Sequence, residues 1–152
     1  MTGTPRRRPD AGRTTLAAIA VGGMAGALCR YAVGDAWPHP SGAFPWSTLV
    51  VNTSGCLLIG VLLVVVLEIT QPHPLVRPFL GTGVLGGYTT FSTASVDVQQ
   101  LMDAGHAALA LTYLGTTLGA ALLATWSGMT AARLADRVRR SVRPARHGRS
   151  GA

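Results

Sequence analysis

With 152 residues, of which 48% are hydrophobic and only 12% charged, and a mean hydropathy of +0.35, the chain is too apolar for a soluble domain of this size. One small integral membrane domain is expected over residues 14–134, between Arg-rich solvated tails at 1–13 and 135–152. The formal net charge of +7 and a pI near 11.0 suggest a nucleic-acid-binding tail at first sight, but basic flanks beside membrane spans are expected on topology grounds alone, and no nucleic-acid partner is inferred.

Four segments of spanning length follow in chain order. The first runs from Leu16 to Cys29, extendable past Arg30 to Val33, and carries Gly22 and Gly26, a small-residue pair that lets another helix approach closely. Its apolar run is too long, and its end too poor in small residues, for a cleaved signal peptide. Arg30 either snorkels to the interface or serves a water-filled vestibule. The second span, Thr48 to Leu67, places Thr48, Asn52, Gly55 and Cys56 on one stripe of an otherwise Leu, Val and Ile helix. An amide at that depth needs partners, so Asn52 either bonds a neighbouring helix or lines a polar path.

The third segment, Leu75 to Met102, is the least apolar and the most informative. It holds Pro78, glycines at 81, 83, 86 and 87, and then Thr89, Thr90, Ser92, Thr93 and Ser95 around Phe91. In hydrocarbon, every backbone N–H and C=O must find a partner, so irregular backbone survives only where protein buries it or where it lines a polar cavity. Two half-helices joined by an unwound link are expected, with a re-entrant loop as the alternative. The fourth span, Ala107 to Met129, shares Tyr113, Thr117 and Ala121 on one face and carries a second small pair, Gly115 and Gly119. Thr112, Thr116 and Thr125 are expected to bond their own preceding carbonyls.

All 13 basic residues are arginine, and with four crossings twelve of them fall on one side of the membrane: both tails and Arg77 in the loop between spans two and three. The positive-inside rule makes that side, and both termini, cytoplasmic. Cys29 and Cys56 sit in apolar helices as small hydrophobes, with no metal or disulfide framework. The only carboxylates are Asp10, Asp35, Glu68, Asp97, Asp103 and Asp136, none in the middle of spans one, two or four. A small four-helix proton-coupled exporter, the alternative function, would want one there. No nucleophile–base pair supports an enzyme.

Three blocks in order, Gly22 to Tyr31, Ser47 to Gly55, and Gly86 to Ser95 followed by Asp97, resemble the Fluc (CrcB) family of fluoride channels, over nearly all of the membrane domain. The resemblance implies an all-α membrane protein with four transmembrane helices, the third broken mid-membrane, whose subunits pair as an antiparallel dimer and pass fluoride ion through the lipid bilayer by passive efflux. It implies a structural Na⁺ held by backbone carbonyls of Gly86 and Thr89. It also implies a fluoride pore along Phe91, Asn52, Thr48, Tyr113, Thr117 and Ser92, and a vestibule at Arg30. Glycine at 86 would allow unusual dihedrals in the break. Two departures stand out. The family's second pore phenylalanine falls three residues after Phe91, where this chain has Ala94, and the arginine bias is too strong for a subunit that inserts both ways. Both point to an inverted, homologous partner subunit, with a homodimer as the alternative.

Overall fold

The computed structural model describes residues 9–40 and 42–142; the outer parts of the two Arg-rich tails lie outside the described residues. Helix α1 covers Pro9–Ala36, α2 covers Trp46–Val64, and a π-helical segment, Val65–Ile69, continues α2 for one turn. A second π-helical segment, Arg77–Leu85, runs into the single turn α3, Gly86–Tyr88. Helix α4 covers Phe91–Asp103 and α5 covers Ala107–Val142. The helices thus extend past the bounds of 14 and 134 set from the sequence. Three helical stretches are long and apolar enough to cross a membrane: Ala11–Ala36, Trp46–Ile69 and Ala107–Ser141. The protein is an all-helical membrane protein.

Where a lipid-facing bundle has little hydrophobic driving force between its helices, close backbone approach through small residues holds it together. Helix α1 lies against the Arg77–Leu85 segment and α3, and the crossing is made of glycine on both sides. A Cβ on Gly22 would stand 2.5 Å from the Phe79 carbonyl oxygen, and one on Gly83 2.9 Å from the Ile19 carbonyl oxygen. Gly26 and Gly87 are closed off in the same way by the carbonyls of Val84 and Gly23. Helix α2 crosses α5 through a second pair, Gly60 against the Thr125 carbonyl and Gly128 against the Leu57 carbonyl, which the sequence reading did not single out. The pair it did single out on this helix, Gly115 and Gly119, has nothing within 4 Å and makes no crossing inside the subunit.

One apolar cluster sits at one end of the bundle, Leu49, Ala94, Leu101, Ala110 and Tyr113, backed by Phe44, Val98, Leu109 and Ala120, while Val64, Val66, Leu85, Ala124 and Ala132 are buried outside it. Leu111, Leu118, Leu122, Leu123 and Trp126 on α5 are left exposed, as suits a helix whose solvent on that side is hydrocarbon. At the opposite end Arg133 grips Glu68 through two nitrogens, at 2.6 and 3.0 Å, tying α5 to the continuation of α2. Thr112 and Thr125 bond the carbonyls of Ala108 and Ala121, four residues back on their own helix.

Gly60→Val should prevent α2 and α5 from closing, because the clash is with backbone and not with a movable side chain; overpacking of this kind costs about 1–3 kcal/mol. Thermal unfolding of the detergent-solubilised chain should show a lowered midpoint for Gly60→Val and an unchanged one for Gly115→Val.

Candidate functional site: two grooves around an interrupted helix

Between α3 and α4 the chain is extended at two residues, Thr89 (φ −76°, ψ 155°) and Thr90 (φ −148°, ψ 118°). Gly86 is helical (φ −65°, ψ −33°), and the glycines with positive φ among the described residues are Gly42 and Gly105. The sequence expectation that Gly86 supplies an unusual dihedral is therefore corrected: the turn in the chain is made by threonines, and glycine acts at 87, where α1 leaves no room for a side chain.

Asn52 resolves the polar backbone that this geometry frees. Its Nδ2 donates to the Thr90 carbonyl at 2.9 Å, and its Oδ1 accepts from the Thr90 N–H at 2.8 Å. One side-chain amide thus closes a two-bond ring on an extended residue, as a neighbouring β-strand would. Thr90 also caps α4, its Oγ1 accepting from the Thr93 N–H at 3.1 Å. Gly55, one turn along α2 from Asn52, brings α2 against the Thr89 methyl group, and Ser54 Oγ lies 2.9 Å from the Tyr88 hydroxyl. A continuous helix would give the carbonyls of Gly86 and Thr89 to the N–H groups of residues 90 and 93. Here those two donors are committed to Asn52 and to Thr90 Oγ1.

The predicted site residues divide between two grooves. One, of 640 Å³, is lined by Asn52, Thr89, Phe91, Tyr113 and Thr117, with Ala94 and apolar residues of α4 and α5. The other, of 520 Å³, lies on the α1 side and holds Arg30, Thr48 and Ser92, together with Ser47 and Asp35. Thr90 borders both. Gly86 lines neither groove. In the first groove the Phe91 ring is 85% exposed, while Tyr113 is fully buried. Thr117 Oγ1 is buried without a hydrogen-bond partner.

Thr90, the residue that joins the grooves and anchors the break, was not among the site residues read from the sequence. Its signal was local: a threonine directly before a helical run, which is the usual N-cap position.

This arrangement belongs to a multi-span helical membrane protein whose grooves carry several hydroxyl side chains among apolar ones. Residues 17–129 match the family described as CrcB-like protein, Camphor Resistance (CrcB). The chain is 55% identical over 103 residues to the Fluoride-specific ion channel FluC 2 of Streptomyces avermitilis, covering 68% of this chain and 65% of that protein. It is 52% identical over 118 residues to FluC 1 of Streptomyces coelicolor (78% and 77% covered), and 47% identical over 131 residues to FluC 2 of Nocardia farcinica (86% and 94% covered). The chain belongs to the CrcB family, which places it with channel proteins and not with enzymes.

Asn52→Leu should strip partners from two backbone groups of Thr90, each worth about 1–3 kcal/mol when left unpaired away from water. Hydrogen exchange of the Thr90 amide should accelerate sharply in that variant. Gly86→Ala should leave the same amide protected, since a Cβ there meets only the Gly81 carbonyl oxygen, at 3.8 Å.

Proposed function

We propose that the chain is one subunit of a passive fluoride channel that lowers cytoplasmic fluoride, working with a second subunit of inverted orientation in the cell membrane. The observation that carries this reading is the Phe91 ring, 85% exposed at the edge of a groove that Asn52 and Thr117 also line. An aromatic ring has a positive edge and a hydroxyl donates a hydrogen bond, so the pair can replace part of a small anion's hydration without holding it as a fixed cation would. Asn52 spends both amide groups on Thr90, which leaves one N–H of its NH₂ for a passing anion. The relatives are named fluoride-specific channels, and fluoride is the smallest halide such a path can strip.

The physical case for passive efflux is direct. HF is neutral, crosses the bilayer and ionises in a near-neutral cytoplasm, where hydrocarbon traps the anion. A negative-inside potential, worth about 2.3 kcal/mol per charge per 100 mV, drives fluoride out once a pore exists. The second reading, a proton-coupled exporter, needs a carboxylate in the path; the groove that holds Phe91 has none among its lining residues, and Asp35 stands on the groove that holds Arg30.

The interruption at Thr89 and Thr90 is read as a mid-membrane break. Gly86 and Thr89 fit a hard cation: their carbonyls have lost the helical donors they would otherwise meet, and Gly86 is exposed. A Na⁺ bound there would supply a fixed positive charge that two subunits could share, stabilising their junction and favouring anions nearby. The open Gly115 and Gly119 face of α5 suits close approach by another subunit. Ala94, buried in the groove wall where the family pattern has its second pore phenylalanine, calls for an aromatic from elsewhere. With the arginine bias, which puts both termini in the cytoplasm, it favours a homologous inverted partner over a homodimer.

Fluoride-electrode efflux from liposomes tests the pore. Phe91→Ala should cut flux at least about ten-fold, the effect of removing roughly 1.4 kcal/mol of anion stabilisation, with an unchanged size-exclusion profile. Unaltered flux in that variant would refute the assignment. Robust flux from the chain reconstituted alone would refute the requirement for a different partner.

A further inference from the structure

We propose that His39, on the linker between α1 and α2, is a positioning residue that sets the net charge held at Asp97 behind the walls of the two grooves, so that fluoride conduction rises when the imidazole is protonated. The inference rests on the channel reading above and assigns a regulator to the same path.

The geometry is a relay of four side chains from four parts of the chain. His39 Nδ1 lies 3.2 Å from Ser47 Oγ, and Nε2 lies 3.6 Å from Asp97 Oδ1, within ion-pair reach. The other carboxylate oxygen of Asp97 accepts from the Tyr113 hydroxyl at 3.4 Å. Ser47 lines the groove that holds Arg30, and Tyr113 lines the groove that holds Phe91. His39 and Asp97 line neither groove; His39 contacts Ser47, which lines one, and Asp97 contacts Tyr113, which lines the other. Asp97 is buried, with its side chain 6% exposed, whereas His39 is 25% exposed and open to protons from water.

The linker is held in place from two other sides, so His39 is not a loosely hung side chain. The Phe44 ring packs edge-on against Tyr113, with centroids 5.4 Å apart and planes at 90°. His106, beside the start of α5, has its Nδ1 3.1 Å from the Gly42 carbonyl, and Gly42 takes φ +84°, a conformation that favours glycine. Among the described residues, the charged group within ion-pair reach of His39 is Asp97 of α4, with Tyr113 of α5 beyond it; Asp35 and Arg30 of α1 line the groove that Ser47 borders. His106 holds the far end of the linker.

The sign follows from charge alone. Histidine is the side chain whose charge changes between about pH 5 and 8. While His39 is neutral, Asp97 offers an approaching anion a formal charge of −1. When His39 carries a proton, the pair sums to zero and the repulsion is relieved. A single charge beside a confined path changes ion entry by roughly ten-fold at the low end of such effects.

The test uses the full chain, with its partner subunit where one co-purifies, in planar bilayers. Fluoride current is the readout, because neutral HF carries none. Acidifying the linker side from pH 8 to pH 5.5 should raise the wild-type current roughly ten-fold. His39→Gln, which keeps a hydrogen-bonding side chain but does not titrate, should stay low across the range; Asp97→Asn should stay high across it. A His39→Gln variant that retains the wild-type pH response overturns the proposal. A second readout does not depend on conduction: in NMR spectra of the histidine rings, the His39 signals should move on Asp97→Asn and the His73 signals should not. Unmoved His39 signals overturn the pairing. A wild-type protein silent at every pH overturns the channel reading, and this one with it.

Discussion

The paired hydrogen bonds between Asn52 and Thr90 are the interaction on which the rest of the structure turns. An extended residue inside an otherwise helical bundle frees an N–H and a C=O, and both need partners wherever water is excluded. One primary amide, projected from the neighbouring helix, satisfies both. Because Asn52 holds Thr90, the Thr90 hydroxyl is free to cap α4, and α4 can restart at a new angle with the Phe91 ring turned outward. That restart presents Thr89, Thr90, Phe91 and Ser92 to the two grooves, where they meet polar residues of α1, α2 and α5.

Glycine serves a different end here from the one its placement suggests. The α1 crossing against α3 and the Arg77–Leu85 segment brings backbone onto backbone at Gly22, Gly26, Gly83 and Gly87, so two long elements lock without large side chains. With so little side-chain volume between them, these helices hold their spacing rigidly, and the irregular residues at 89 and 90 are flanked by a fixed frame.

Much of the architecture was legible in the sequence because hydrocarbon imposes a length rule: runs of about 20 apolar residues have few readings other than a span. Gly22 and Gly26 could be read as a contact face because small residues at a spacing of four have a mechanical meaning on a helix. Gly115 and Gly119 carry the same spacing and make no contact within the subunit, whereas Gly60 and Gly128, which do, show no spacing in common because they lie on different helices. The polarity of the third segment gave away an interruption near Phe91, but not its position. Glycine is permissive, which made 86 and 87 look like the link, and the satisfied state of Thr90 depends on a residue 38 positions earlier. The same is true of His39 and Asp97, whose meeting has no local trace in the chain.

Helix α5 outlasts the membrane. Its apolar part ends near Met129, but it continues to Val142, which at 1.5 Å per residue carries the chain about 20 Å beyond the hydrocarbon edge. The Arg140–Asp136 pair, at 2.7 Å and one turn apart, stiffens that stretch. The result is a mast standing off the lipid surface. A neighbour of opposite orientation would raise its own mast on the other face.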